Sequence, residues 1–224
     1  MVVDLGLRID RNESAAISAQ LEPAPPRDVI EWAIDRFGGE LTIASSFQHC
    51  VVIDLAVQID PDVEVVFLDT GYHFTETLAF VEKVRQLYHL NLRVQTPSPE
   101  ADGLRCGNEG CCQARKVRPL DAALAGKSAW ISGLKRVDTV HRADAPVVMW
   151  DERRQMVKVN PLATWTDADV DNYIVDRNLP VHPLVKEGFL SIGCAPTTSP
   201  VTAGADRRAG RWCGEARTEC GLHL

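Results

Sequence analysis

The 224-residue chain has no GxxxxGK[ST] and no GxGxxG anywhere, which argues against a lysine-armed phosphate-loop kinase and a dinucleotide dehydrogenase. It has no apolar run near the ~20 residues needed to span a bilayer. Residues 1–12 mix charged and apolar side chains, unlike the continuous apolar stretch of a signal peptide, so a cytoplasmic protein is expected. Basic charge is in deficit: 24 Lys and Arg face 31 Asp and Glu, a net charge of -7. That excludes a nucleic-acid binder relying on a general basic surface, but not a local basic pocket for a small anion. No internal repeat or low-complexity tract is present. Hydrophobic residues make up 45% and charged residues 25%, an ordinary globular balance.

Alternating strand and helix patterns predict an α/β fold with an open, mostly parallel sheet and helices on both faces. Strands are expected at 41–45, 63–68, 92–95 and 129–132, with a further pair at 147–150 and 156–159. Helices are expected at 28–37, 48–59, 74–88, 113–125 and 166–177, the last capped by Thr166. The expected organisation is an N-terminal arm at 1–27 with a short polar helix, an α/β domain at 28–186, and a flexible C-terminal tail at 187–224 without its own core.

In such sheets ligands bind beyond the carboxyl ends of the strands. Ala44-Ser45-Ser46-Phe47-Gln48-His49 leads from a strand towards a helix start, where N–H groups and the Ser45 and Ser46 hydroxyls suit a phosphate or sulfate. An ordinary strand-to-helix connection with serine caps is the alternative. In Leu68-Asp69-Thr70-Gly71-Tyr72-His73, Asp69 is placed to accept ribose hydroxyls, and a neighbouring aromatic to line an adenine pocket. A capped turn is again the alternative. Arg115, Lys116 and Arg118, then Lys135, Arg136 and Arg142, then Arg207, Arg208 and Arg211, form basic groups in an acidic chain. Guanidinium forks match phosphate and sulfate oxygens. Arg118 and Arg207 also suit plain solvated surface.

There are seven cysteines. Cys50 lies on an apolar helix and reads as core. The others fall in two segments, 106–112 and 194–220, which favours a site over scattered core thiols. Cys220, in Thr-Glu-Cys-Gly-Leu-His, is either inert and exposed or a mobile nucleophile, with His223 placed to support its thiolate. Adjacent Cys111 and Cys112 make a strained disulfide, but with Cys194 they suit an iron–sulfur cluster. Structural zinc is the alternative.

Taken together, LDTGYHFTET, CCQARKVRPL, WISGLKR with Arg142 after it, VNPLATWTDADV, EGFLSIGCAP and TECGLH resemble the sulfonucleotide reductases, which act on adenylyl sulfate or its 3'-phosphorylated form. The resemblance covers the chain from about residue 28. It implies an adenine nucleotide alpha hydrolase-like fold and a role in sulfate assimilation. It also implies attack by Cys220 on the substrate's sulfur, an S-sulfonate intermediate, and thioredoxin as reductant. Ser45, Ser46, Arg115, Lys116, Arg142, Arg208 and Arg211 are the implied substrate contacts. The Cys-Cys pair and a later CxxC imply a [4Fe-4S] cluster and adenosine 5'-phosphosulfate as substrate, the 3'-phosphorylated compound being the alternative. Here Thr197 stands where the family has its fourth cysteine. Cys213 is expected to replace it, against a three-cysteine cluster, with Cys106 a weaker candidate. An ATP-using adenylyltransferase of the same fold lacks support because no glycine-rich SGGxDS-type loop occurs at 44–49. A non-enzymatic iron–sulfur sensor leaves Cys220 without a role. A homo-oligomeric state is left open, and no nucleic-acid or membrane partner is expected.

Overall fold

The computed structural model describes residues 9–202, 204–212 and 219–222. Six strands form one sheet in the order β3-β2-β1-β4-β6-β5. They are β1 (Leu41–Ser45), β2 (Val65–Leu68), β3 (Leu92–Gln95), β4 (Ala129–Ser132), β5 (Val148–Asp151) and β6 (Met156–Val159). All neighbours run parallel except β5, which pairs antiparallel with β6, Val148 opposite Val159. Chain order reverses direction across the sheet at β1, whose two neighbours are β2 and β4. The crevice at that switch point is where such sheets receive ligands.

Strand side chains alternate between faces, and two apolar clusters follow that alternation. Leu41, Ile43, Val65, Phe67, Ala129, Ile131, Val157 and Val159 join the main core. Trp130 and Met156, with Ala44 and Leu68 against them, point to the other face. Helices α2 (Pro26–Phe37), α3 (Val51–Val57), α4 (Thr75–Tyr88) and α6 (Asp167–Asp176) contribute to the main core. Helix α5 (Arg118–Ala123) covers the other face through Leu120, joined there by Leu222 from the C-terminal segment. Asp54 on α3, only 4% exposed, accepts hydrogen bonds from the hydroxyls of Tyr88 (2.9 Å) and Tyr173 (2.7 Å), tying three helices together.

Two expected helices differ from those observed. The helix expected from Gln48 begins at Val51, because Phe47 adopts a left-handed φ of 55° and residues 46–50 form a loop. Phe47 is fully buried, edge-on to Phe67 at 5.5 Å, and that packing holds the unfavourable backbone conformation. The helix expected at 113–125 opens as a π-helical turn, Gln113–Val117, before α5. The Arg118 N–H reaches back to the Gln113 carbonyl, and the next residue, Pro119, has no N–H to continue a tighter pattern.

Helix α1 (Arg11–Leu21) lies against β5, where the Ser18 hydroxyl accepts the Val148 N–H at 3.2 Å, and Ile9 just before it is 2% exposed in the main core. The described residues between 187 and 212 are irregular yet closed on themselves. Ser199 donates to the Gly210 carbonyl at 2.8 Å and Trp212 to that of Thr197 at 3.0 Å, with Ile192, Cys194 and Trp212 buried. Gly210 is required there, since a Cβ would stand 2.0 Å from the Ser199 carbonyl oxygen. If the N-terminal segment is integral to the fold, Ile9→Ala lowers unfolding free energy by about 2–5 kcal/mol in urea titration. A loss below about 0.5 kcal/mol would make it a peripheral arm.

Candidate active site

The carboxyl ends of β1, β2 and β4 open into a cavity whose floor includes Ser45, Ser46, Phe67, Thr70, Ser132 and Gly133. Ser45 accepts the Phe47 N–H at 3.1 Å, which shapes the tight loop after β1. Gln48 clamps the far wall: its amide donates to the Leu190 carbonyl (3.3 Å) and accepts the Ile192 N–H (3.0 Å). His49 also lines the cavity; burial, then the charge of Lys135, pushes its pKa down to about 4, so the ring is neutral at physiological pH. Its Nδ1 is buried without a protein partner.

Adjacent basic residues on the π turn part company. Lys116 lines the cavity. Burial opposes its charge, but the sulfurs of Cys220, Cys194 and Cys112 outweigh that and raise its pKa. Arg115 faces the other way, donating to the carbonyls of Thr70 (3.0 Å) and Ala101 (2.6 Å) and stacking on Tyr72 at 4.7 Å. Asp69 likewise stands off the cavity wall and accepts the Gly71 N–H at 2.9 Å. Of the nearby aromatics, His73 lines the cavity, whereas the Tyr72 hydroxyl is spent on the Leu104 carbonyl.

Arg142, Arg208 and Arg211 all reach the cavity. Arg211 passes over Gly193, where a Cβ would stand 2.2 Å from its guanidinium, and lies 4.6 Å from the Trp212 ring. Burial, then Arg208, lowers the Arg211 pKa, and its Nε has no partner in the protein. Arg118 is at the surface, 3.5 Å from Glu100, and Arg207 pairs with Asp171 at 2.8 Å.

Cys220 also lines the cavity, brought there by its neighbours on both sides. Glu219 is the anchor that the sequence reading missed. Its carboxylate accepts two hydrogen bonds from Arg142 (2.6 and 2.7 Å) and one from Thr139 (2.9 Å), with side-chain exposures of 5% for Glu219 and 10% for Arg142. Arg142 is itself held by Asp138 at 2.9 Å. Gly221 takes a left-handed φ of 85°, and Leu222 then drops onto the cluster around Trp130. His223 and Cys213 lie outside the described residues.

Cys111 and Cys194 are buried, while Cys112 and Cys106 are half-buried. Cys194 receives a hydrogen bond from Cys106 and lies near Lys116; these hold its pKa low against the cost of burial. The same contact raises the Cys106 thiol. The Thr70 hydroxyl is 3.5 Å from the Cys194 sulfur. Among the described residues no three His, Cys, Asp or Glu side chains stand at the spacing of a single metal ion. A soft, sulfur-rich donor set beside lysine and arginine suits an iron–sulfur cluster, whose ligands bind separate irons, better than one zinc. Cys50 belongs to the core, 1% exposed, its pKa pushed up to about 12 by burial.

The model of the phosphoadenosine phosphosulfate reductase domain matches residues 40–200. The chain belongs to this reductase family. Within it, the chain is 44% identical to the adenosine 5'-phosphosulfate reductase of Mycolicibacterium smegmatis over 216 residues, 92% of each protein. It is 40% identical to the Rhodococcus opacus protein of the same name, covering all of this chain and 99% of that one. The crystal structure of phosphoadenylyl-sulfate reductase from Candida auris superposes with a TM-score of 0.74 at 26% identity, covering 88% of this chain and 100% of that one. FMN adenylyltransferase from Candida glabrata shares the fold alone, at 16% identity and TM-score 0.61 over 88% of this chain and 70% of that one.

Burial raises the Glu219 pKa, but the Arg142 hydrogen bonds outweigh that and hold it below the ordinary carboxylate range. The docking it contributes is therefore complete above that range and is lost as pH falls through the depressed value. The protection of the 219–222 amides, measured against the intrinsic exchange rate at each pH, should fall on acidification. Glu219→Gln should show the lower protection already at neutral pH, by roughly tenfold to a hundredfold. Unchanged exchange in the variant would leave Leu222 as the anchor.

Proposed function

We propose that this chain is an oxidoreductase of sulfate assimilation that reduces adenosine 5'-phosphosulfate to sulfite and AMP, with Cys220 as nucleophile. The observation that carries this reading is the placement of Cys220 at a cation-lined cavity on the switch point of the sheet, next to a buried Glu219–Arg142 pair. The names of the relatives at 40–44% identity support the choice of substrate.

The Cys220 thiolate attacks the sulfate sulfur, forming an S–S bond as the S–O bond to the phosphate breaks. AMP leaves with the bonding electron pair, its charge met by Lys116, Arg208 and Arg211. A dithiol protein of the thioredoxin class then attacks the Cys220 sulfur of the S-sulfonate and releases sulfite. Its second thiol resolves the mixed disulfide, so two electrons pass from the dithiol to sulfur. Ser45, Ser46 and Ser132 suit the nucleotide side of the cavity. Asp69 and Arg115 support it from behind, by fixing the turn after β2. His223 would support the tail thiol. The segment must close for the first step and open for the second. The chemistry described needs no membrane, and no helix among the described residues is long and apolar enough to cross one. We assign the reaction to the cytoplasm.

Cys111, Cys112 and Cys194 would supply three thiolates to a [4Fe-4S] cluster. Such a group beside Lys116 would tune the electrostatics of the anion site. The residues themselves bind and orient the substrate.

Incubation with adenosine 5'-phosphosulfate, without reductant, should add one SO3 unit to Cys220, read by intact-protein and peptide mass spectrometry. Cys220→Ser should abolish the adduct and cut sulfite release more than about 10³-fold. Sulfite release by that variant would overturn the reading. Preferential turnover of the 3'-phosphorylated compound would reassign the substrate.

A further inference from the structure

Within the cluster reading above, on which this inference rests, Cys111, Cys112 and Cys194 would supply three ligands and one is wanted. We propose that Cys106 is the fourth cluster ligand, reaching from the 105–110 turn into the position that Thr197 leaves without a sulfur.

The geometry comes from two turns that face each other. The Cys194 loop is tightly folded: Thr197 N–H and Thr198 hydroxyl both donate to the Cys194 carbonyl, at 3.1 and 2.9 Å, and Ala195 N–H is pinned to the Tyr72 carbonyl at 2.7 Å. The Thr197 hydroxyl curls back to the same Cys194 carbonyl at 3.3 Å. Opposite it, the chain turns at Asn108, whose N–H meets the Arg105 carbonyl at 3.2 Å. The Cys111 N–H meets the Asn108 carbonyl at the same distance. Gly107, with a left-handed φ of 92°, sits inside this turn. The Cys106 sulfur thereby lies 4.0 Å from the Thr197 hydroxyl, within hydrogen-bonding reach of Cys194 and near Cys111.

A residue at 197 and a residue at 106 thus address the same space from opposite sides. Threonine is a poor iron ligand, whereas a thiolate is the ligand these clusters use. The other described cysteines are committed elsewhere, Cys50 to the main core and Cys220 to the cavity mouth. As a ligand, the Cys106 thiol would give up its proton to solvent and exchange its contact with Cys194 for a bond to iron, each sulfur binding its own iron.

The test is metal content and spectroscopy on the full chain purified without oxygen, read independently of turnover. The wild type should carry about four irons and four acid-labile sulfides per chain. Cys106→Ser should lose at least one iron per cluster, with the electron paramagnetic resonance signal of an iron-deficient cluster after mild oxidation. The double variant Cys106→Ser/Thr197→Cys should regain the full content, which separates lost ligation from misfolding. Cys213→Ser should keep the wild-type content. A full cluster in Cys106→Ser with a deficient one in Cys213→Ser would overturn the proposal in favour of Cys213. Full clusters in both would mean a three-cysteine site and also overturn it. A wild-type protein without iron would instead sink the cluster reading itself.

Discussion

Residues 219–222, which carry Cys220, have no helix or strand of their own to hold them, and what ties them to the rigid fold is the buried pair between Glu219 and Arg142. Arg142 sits in a short turn after β4, braced by Asp138, which also holds Lys135 at 3.2 Å. The carboxylate beside Cys220 therefore connects the tail directly to the strand end that walls the cavity. A buried pair of this kind adds little net stability, because desolvation offsets most of its attraction. What it supplies is register: with two parallel donors on one guanidinium, the tail has one place to dock, and Cys220 follows.

Charge in the site is managed by proximity more than by number. The protein is acidic overall, yet Lys116, Arg208 and Arg211 converge where an anion would lie. Arg211 is costly to keep in this position, since burial and Arg208 both work against its charge. The sulfurs of Cys220, Cys194 and Cys112 act in the opposite direction on both Lys116 and Arg211. The sulfurs thus favour the charged forms of both cations, and the same cations are the natural partners of a sulfate or phosphate.

Much of the fold was legible because parallel strands buried on both faces read as short apolar runs. Val65–Leu68 and Ala129–Ser132 are such runs, and the β5–β6 pair was visible from its two closely spaced strands. The helix starts were harder to place. Nothing local in Ser46-Phe47-Gln48 announces that Phe47 will be left-handed; its buried contact with Phe67 decides that. The site was legible as a set of residue types, less so as directions. Arg115 and Lys116 are neighbours in one basic motif, and one residue of helical turn sends them to opposite sides. Glu219 was passed over because its partner Arg142 is 77 residues away in sequence. Only the fold shows the carboxylate to be buried. The pairing of Cys106 with Thr197 is hidden in the same way, by a separation of 91 residues.

Leu222 closes the apolar cluster that holds Trp130, an indole only 1% exposed. Removing Leu222 from this cluster would give water a path to that ring, on which Lys158 and Arg154 also lie, at 5.0 and 5.4 Å. The docking of residues 219–222 is thereby written into the environment of a natural fluorophore, so any displacement of them would carry an optical signature that requires no label.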